Sequence, residues 1–493
     1  MTDIRVGLTS LYGKKDHISI YNNSVDMGYC YNNAFVSTDS FYSSGGFTFE
    51  TDKKVYYILP DKYTSYKDAK KYADKLLKSE IKAIPAATDK KVWQIYIEDG
   101  ASVPEQYLGY TKTNSNSSDA SRIKVSFSDG AYLMDNSFCG RFPQFKPTDK
   151  GGALSLGTRS YRGRIEIVTE KQTLTAINII SIEAYLLGVV TCEMDRLYPE
   201  EALKAQTVAA RSYALVKAGF MADGNGSSKY KLTDNTYSQV YKGINGETEQ
   251  SLKAVTTTIG EVLKRGNQVV EAFYFSTSGG STESSSDIWN VASPVYQRVF
   301  DKYERNPERL PWTYDYSLND IEDILKENGV NIGTIKTVKP YIRTAGLRVY
   351  SLKITGSKKS VILDINKIQD YFGLPSTKFN VITSNANQNR VFVKNSDSDT
   401  EIVLKNSYTI SGKGSINKLS DSLDQYILIS EDNMYNVVSK LPKEEHIVFA
   451  GMGYGHGVGM SQAGAAGMAE EGFNYKEILM YYYNGVRMGN YND

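Results

Sequence analysis

The stretch GYGHGVGMSQAGAAGMA, residues 453–469, constrains this chain more than any other. Glycine costs about 0.5–1 kcal/mol in regular structure relative to alanine. A cluster of it therefore marks backbone that turns sharply or lies close against something, either a ligand or another strand. The cluster also encloses His456, one of only three histidines in the sequence.

Length and charge narrow the choices. At 493 residues, and with about 100–200 residues per domain, the chain holds two to four domains. Lysine plus arginine (57) nearly balances aspartate plus glutamate (56), which leaves no basic field for a polyanion and argues against nucleic acid as a partner. No apolar run reaches the roughly 18 residues of a spanning helix, and MTDIRVGLTS lacks the form of a signal peptide. The chain is then either cytosolic or trimmed. Cys30, Cys139 and Cys192 form no disulfide framework and no CxxC zinc spacing. Tyrosine outnumbers phenylalanine 38 to 17, which reflects either a host residue bias or surfaces suited to stacking on sugar rings.

Short β-type runs, IRVGL and ISIYNN, open the chain. From Lys54 the pattern becomes strand (KVYYIL), helix (SYKDAKKYADKLLKSE) and two strands (IKAIPA, KVWQIYIE), with Ala69, Tyr72, Ala73, Leu76 and Leu77 forming one apolar helix face. The Asn/Ser-rich loop from Thr113 to Ser121 marks a boundary. Strands RIKVSFS, ALSLG, RGRIEIVTE and TLTAINII then lead into the helical segment SIEAYLLGVV. A second helix starts after Pro199, carries a small-residue face of Ala202, Ala205, Ala209, Ser212 and Val216, and stops at Gly219. An α/β segment follows from Trp312 to Arg390, with helices in LNDIEDILKENG and INKIQDYFG. The last helix has Asn474 as its cap, Glu477 at the capping-box position, and Gly485 at its close.

Four segments carry candidate chemistry. Glu193, in TCEMDRLYPEEALKAQ, lies between two helices; in a cleft it would be desolvated, protonated and able to act as an acid. In YFSTSGGSTESSSDIW a strand delivers Ser276, Thr277 and Ser278 and the Gly279 and Gly280 amides to its end, where they could hold a polar ligand or satisfy one another as a turn. LTDNTYSQVYKG places Gln239 and Tyr241 after a polar turn. The glycine segment offers His456 as base, ligand or structural hydrogen bonder, with Ser461 and Gln462 at a helix start.

Together these segments resemble the SpoIID/LytB family, the stage II sporulation protein D and amidase-enhancer proteins of bacterial cell walls. The resemblance runs from IRVGL through YRGRIEIV, INIISIEAYLLGVVTCEM, YPEEALKAQTVAARSYAL, YSQVYKG and YFSTSGGSTESSSDIW to GYGHGVGMSQAGAAGMA. It implies a mixed α+β fold: a β-rich core whose packed helices form a glycan groove. It also implies a lytic transglycosylase acting on peptide-free peptidoglycan strands, with Glu193 as the acid and Tyr185, Gln239, Tyr241, Ser276, Ser278, His456, Ser461 and Gln462 as substrate-binding candidates. A hydrolase would need a second carboxylate about 5–10 Å away, for which Asp195, Glu283 and Asp287 stand in the same motifs.

The implied segments are residues 1–50, the first strands of the core; 51–110, a small ferredoxin-like module resembling the glycan-binding sporulation-related repeat (SPOR) family; 122–311, the catalytic core; 312–390, an inserted α/β lobe; and 391–493, the rest of the core. Some family members bind zinc near the segment equivalent to TDNTYSQVY. This chain has neither histidine nor cysteine there, so no metal and no cofactor is expected. The resemblance further implies an exported, wall-associated protein whose partners are glycan strands and a cell-wall amidase or a membrane-anchored wall-remodelling complex. The rival reading is a non-catalytic enhancer that binds glycan and stimulates an N-acetylmuramoyl-L-alanine amidase.

Overall fold

The computed structural model describes residues 3–31, 34–100, 103–113, 122–134, 143–149, 151–170, 172–219, 230–304, 311–384 and 442–493, together with the backbone of short strands between 390 and 438. Cys139 and most of the Thr113–Ser121 loop lie outside the described residues. The chain divides into two compact units, one of Met1–Arg196 with Ala210–Glu261 and one of Leu197–Ala209 with Val262–Tyr491. This division falls inside the expected 122–311 segment and leaves 1–50, 51–110 and 312–390 each within one unit.

The first unit contains two seven-stranded sheets. In the first, Thr173–Ser181 lies between Asp3–Gly7 and Arg164–Glu170, antiparallel to both. Seven consecutive residues of that strand, Leu174–Ile180, are buried. Such an unbroken run is what a strand covered on both faces requires, in contrast to the alternation of a half-exposed strand. The run also holds Thr175 and Asn178, and Asn178 is satisfied in place: its Nδ2 donates to the carbonyls of Arg162 and Arg164.

The second sheet departs from expectation. Its order is His17–Ile20, Phe47–Asp52, Arg122–Phe127, Gly130–Met134, Ala83–Asp89, Val92–Glu98 and Tyr56–Ile58. The strands of residues 51–110 are thus three members of a larger sheet, and among the described residues of that segment one α-helix, Tyr66–Lys78, accompanies them. A ferredoxin-like unit would place two helices on a four-stranded sheet of its own. Ser65 caps the helix by accepting from the Asp68 amide, and Ala69, Ala73 and Leu76 are buried as the periodicity predicts. Leu77 is instead 57% exposed. Three of the sheet's aromatic residues, Trp93, Phe127 and Tyr132, pack with Phe41 and Tyr66, and the Phe41 and Tyr132 rings are stacked at 4.9 Å.

In the second unit the strand His446–Gly451 lies between Trp312–Ser317 and Phe379–Thr383. The α/β lobe expected at 312–390 is therefore completed by a strand from far along the chain. Its core gathers Trp312, Ile321, Leu325, Leu352, Ile354, Ile368, Phe372, Phe379 and Phe449. The predicted helices appear as Leu318–Glu327 and Ile365–Phe372. The final helix, Tyr475–Tyr482, carries the expected Asn474–Glu477 capping box, but it ends before Gly485. Among the described residues no helix is long and apolar enough to cross a membrane.

The helix after Pro199 spans Glu200–Ala218. It is buried more widely than the expected small-residue face: from Ala202 to Leu215 only Lys204 is not buried. Arg211 is 0% exposed and donates through Nε and Nη2 to the two oxygens of Glu183, at 2.9 and 2.7 Å. Its Nη1 bonds the Glu261 carbonyl, and Glu183 also accepts from the Gly260 amide. This ion pair joins the helix Ile182–Leu187 to the C-terminal half of the long helix. Removing one partner of a buried pair leaves the other charge uncompensated. Glu183→Ala is therefore expected to lose about 3–5 kcal/mol of unfolding free energy, measured by urea denaturation; a loss under 1 kcal/mol would show that solvent already screens the pair.

Candidate functional site

Glu193 closes a one-turn helix, Val190–Glu193, after which Met194 is extended. The preceding helix, Ile182–Leu187, starts at the Ser181 cap and stops at Gly188. Gly188 and Gly246 make the local packing possible: a Cβ on Gly188 would stand 2.8 Å from the Tyr241 ring, and one on Gly246 2.6 Å from Cys192 Sγ. With both side chains absent, the segment 239–246 lies directly on the helical turns. Thr191 reinforces the contact by donating to the Gly246 carbonyl at 3.1 Å.

The consequence is a hydrogen bond from the Val240 amide to Glu193 Oε1. Oε2 has no protein partner among the described residues. Glu193 is half-buried as a residue, but its carboxyl group is largely removed from water. Burial pushes its pKa up to about 7, against the smaller opposing effect of the Val240 amide. Near neutral pH the group therefore populates both protonation states, as a residue that first donates and then accepts a proton requires.

Tyr185, Gln239 and Tyr241 surround this arrangement, and all three are at most 1% exposed. The Tyr185 hydroxyl donates to Gln239 Oε1 at 3.1 Å, and Gln239 Nε2 donates to the Ala210 carbonyl at 3.2 Å. The Tyr241 hydroxyl donates to Asn178 Oδ1 at 2.8 Å, and its ring packs 4.8 Å from that of Tyr185. Gln239 and Tyr241 flank Val240 and hold its peptide in place, with no surface of their own to offer a ligand. Cys192 is a free thiol whose pKa burial raises, so it stays protonated beside the acid.

The other candidates lie in the second unit. In the glycine run, Gly453, Gly455, Gly457 and Gly459 alternate at φ values of +77°, +97°, +86° and +87°, a region that side chains disfavour. Space is short as well: a Cβ on Gly457 would meet the Arg348 guanidinium at 2.7 Å, and one on Gly459 would fall on the Phe273 carbonyl. The run lies against the chain's own 273–279 segment, with Tyr274–Phe275 paired in parallel to Met460–Ser461.

His456 uses both ring nitrogens within the fold. Nδ1 accepts from the Val458 amide at 3.0 Å, so Nε2 carries the proton and donates to the Tyr274 carbonyl at 3.1 Å. Burial, with Arg348 nearby, lowers its pKa to about 4 and keeps it neutral. Ser461 caps the helix Gln462–Glu470 by accepting from Gly464. Gln462 is 6% exposed and reaches Gln206. Ser276 is half-buried, and its carbonyl accepts from Ala463.

Ser278 contributes to an anion nest that the chain itself fills. The amides of Ser278, Gly279 and Gly280 and the Ser278 hydroxyl all donate to the Glu304 carboxylate, at 2.6–3.1 Å. Burial and the neighbouring Asp301 raise the pKa of Glu304. Nothing in FDKYERNPERL signals this partner; only the fold supplies it. The other acidic candidates have defined places too. Glu283 is buried, accepts from Thr344 and Gly346, and lies 3.7 Å from Arg348. Asp287 occupies the first turn of a short helix, and Asp195 is exposed. Among the described residues no group of three or more His, Cys, Asp or Glu side chains could hold a metal ion.

Comparison with known proteins shows the family of the chain. Residues 170–264, which include Glu193, Gln239 and Tyr241, match the SpoIID family, described as stage II sporulation protein. The chain belongs to the SpoIID family. Residues 284–414 match a domain of unknown function (DUF8618). This SpoIID-family chain is 28% identical over 455 residues to the amidase enhancer of Bacillus subtilis (strain 168), a match covering 85% of the chain and 60% of that relative. It is 30% identical over 342 residues to an uncharacterized protein of Brachyspira hyodysenteriae (strain ATCC 49526 / WA1), covering 69% and 75% of the two. To stage II sporulation protein D of Bacillus subtilis (strain 168) it is 27% identical over 356 residues, covering 70% and 83%.

The raised pKa of Glu193 has a consequence for stability. A carboxyl whose pKa rises from 4.5 in the unfolded chain to about 7 in the folded one stabilises the fold fully below pH 4.5, and that contribution is lost as pH rises through 7. Glu193→Gln keeps the shape without the charge. It should therefore be more stable than wild type by about 1–3 kcal/mol at pH 8, with the difference vanishing near pH 4, as thermal melts across that range would show. Equal melts at every pH would mean that the carboxylate is well solvated.

Proposed function

We propose that the chain is a wall-associated lytic transglycosylase that cleaves peptide-free peptidoglycan strands between N-acetylmuramic acid and N-acetylglucosamine. The observation that carries the reading is the environment of Glu193, a desolvated carboxyl held by one peptide amide with its second oxygen open. As an acid it gives its proton to the glycosidic oxygen while the bond from the muramic anomeric carbon breaks. As a carboxylate it then takes the proton of the muramic 6-hydroxyl, whose oxygen bonds the same anomeric carbon. Glu193 ends as it began, and the product is a 1,6-anhydro ring.

In this reading Tyr185, Gln239 and Tyr241 position Glu193 through the Val240 peptide. Ser276, Ser278, His456, Ser461 and Gln462 belong to the scaffold of the second unit: the side chains of Ser278, His456 and Ser461 serve backbone or carboxylate partners, Gln462 bonds the Gln206 side chain, and the Ser276 carbonyl accepts from Ala463. The cellular setting would be sporulation or wall remodelling outside the membrane. A second reading is favoured by one observation: a relative matched over 85% of the chain is named an amidase enhancer. Under it the chain binds glycan and stimulates an N-acetylmuramoyl-L-alanine amidase without cutting.

Incubation of wild type and Glu193→Gln with peptide-free strands separates the two. Wild type should release soluble fragments and the variant should lose at least about a hundredfold, the usual contribution of a positioned acid. The rate should fall as pH rises through about 7, where Glu193 loses its proton. Binding by both proteins with release by neither would establish the enhancer reading instead.

A further inference from the structure

We propose that Tyr237 is the stacking platform for a sugar adjoining the bond that Glu193 cuts, an inference that rests on the glycan-cutting reading above. The turn that carries it partitions its side chains against their usual preference. Asp234 is 2% exposed, whereas Tyr237, the turn's one aromatic, is 89% exposed. Acidic groups are seldom buried and large aromatics seldom stand fully in water.

The turn is also held rigidly. Asn235 Oδ1 accepts from the Tyr237 amide at 3.1 Å and from the Thr233 hydroxyl at 3.0 Å, while Asn235 Nδ2 donates to Thr9 Oγ1 at 3.1 Å. Ser238 Oγ accepts from the Thr233 amide, and Asp234 accepts from the amide and hydroxyl of Ser10 at 2.8 and 2.9 Å. Every one of these bonds anchors the backbone beneath Tyr237, and the ring projects from a fixed base. Stacking on a pre-ordered ring costs little conformational entropy.

Position supplies the target. Val240, whose amide holds Glu193, comes three residues after Tyr237, so the two backbones lie within about 10 Å even if fully extended. That distance suits a neighbouring sugar on the same strand. An aromatic face covers the apolar C–H surface of a pyranose, and the phenol hydroxyl can bond its rim. An exposed tyrosine could equally meet a partner protein, but a location beside the acid favours the glycan.

The test uses the full chain with peptide-free glycan strands. Tyr237→Ala should raise KM about five- to tenfold, the effect of one aromatic contact, with the loss falling on KM rather than kcat, and Tyr237→Trp should restore it. In the Glu193→Gln background, Tyr237→Ala should weaken strand binding by the same factor. Circular dichroism checks that the fold is kept, as expected for an exposed side chain. If wild type cuts and Tyr237→Ala cuts with the same KM, the platform is wrong and the reaction stands. If no protein cuts but Tyr237→Ala still lowers binding, the transglycosylase reading falls and the platform is kept only as a glycan-binding contact, its place beside a cut bond overturned. If strand binding is unchanged while stimulation of an amidase is lost, Tyr237 contacts a protein and the proposal is overturned.

Discussion

The site depends on a close approach of two backbones. The turn at Gly188 and the turn at Gly243–Gly246 meet at distances that a single methyl group would prevent. That contact places the Val240 peptide against the end of the one-turn helix, and the peptide in turn fixes the carboxyl of Glu193. The buried pair of Arg211 and Glu183 holds the preceding helix to the long one. The two tyrosines and Gln239 then lock the segment that presents the amide. Each layer restricts the next, so the carboxyl group has little conformational freedom.

Burial alone does not leave a carboxyl available for proton transfer, and two buried carboxyls of this chain differ in that respect. Glu193 and Glu304 both have pKa values raised by burial. Glu304 spends its oxygens on three amides and a hydroxyl and lies beside Asp301, which makes it a plug that organises the Ser278–Gly280 turn. Among the described residues Glu193 accepts one hydrogen bond, at Oε1, and Oε2 is without a partner. Proton affinity is similar in kind; availability differs, and availability is what proton transfer to a substrate requires.

Much of this was legible in the sequence where the signal is local. The capping box at Asn474, the helix buried through Ala69, Ala73 and Leu76, and the placement of Glu193 between two helices follow from spacing of a few residues. The glycine run signalled close approach correctly, although what it approaches is the chain's own strand and Arg348. Long-range pairing was hidden: the strand His446–Gly451 completes a sheet begun more than a hundred residues earlier, and Glu304 fills the serine nest from 26 residues away. Sequence also could not show which way tyrosines face. Tyr185 and Tyr241 point inward, while Tyr237, a few residues from Tyr241, points out.

The central claim is that one carboxyl group performs both proton transfers and that the sugar's own hydroxyl replaces water. The end group of the released fragments tests it most directly. Wild type acting on peptide-free strands in water labelled with heavy oxygen should yield muramic ends lighter by one water than reducing ends, with no label incorporated. Reducing ends carrying the heavy oxygen would mean that water attacked, that a second carboxylate activates it, and that the single-carboxyl account is wrong.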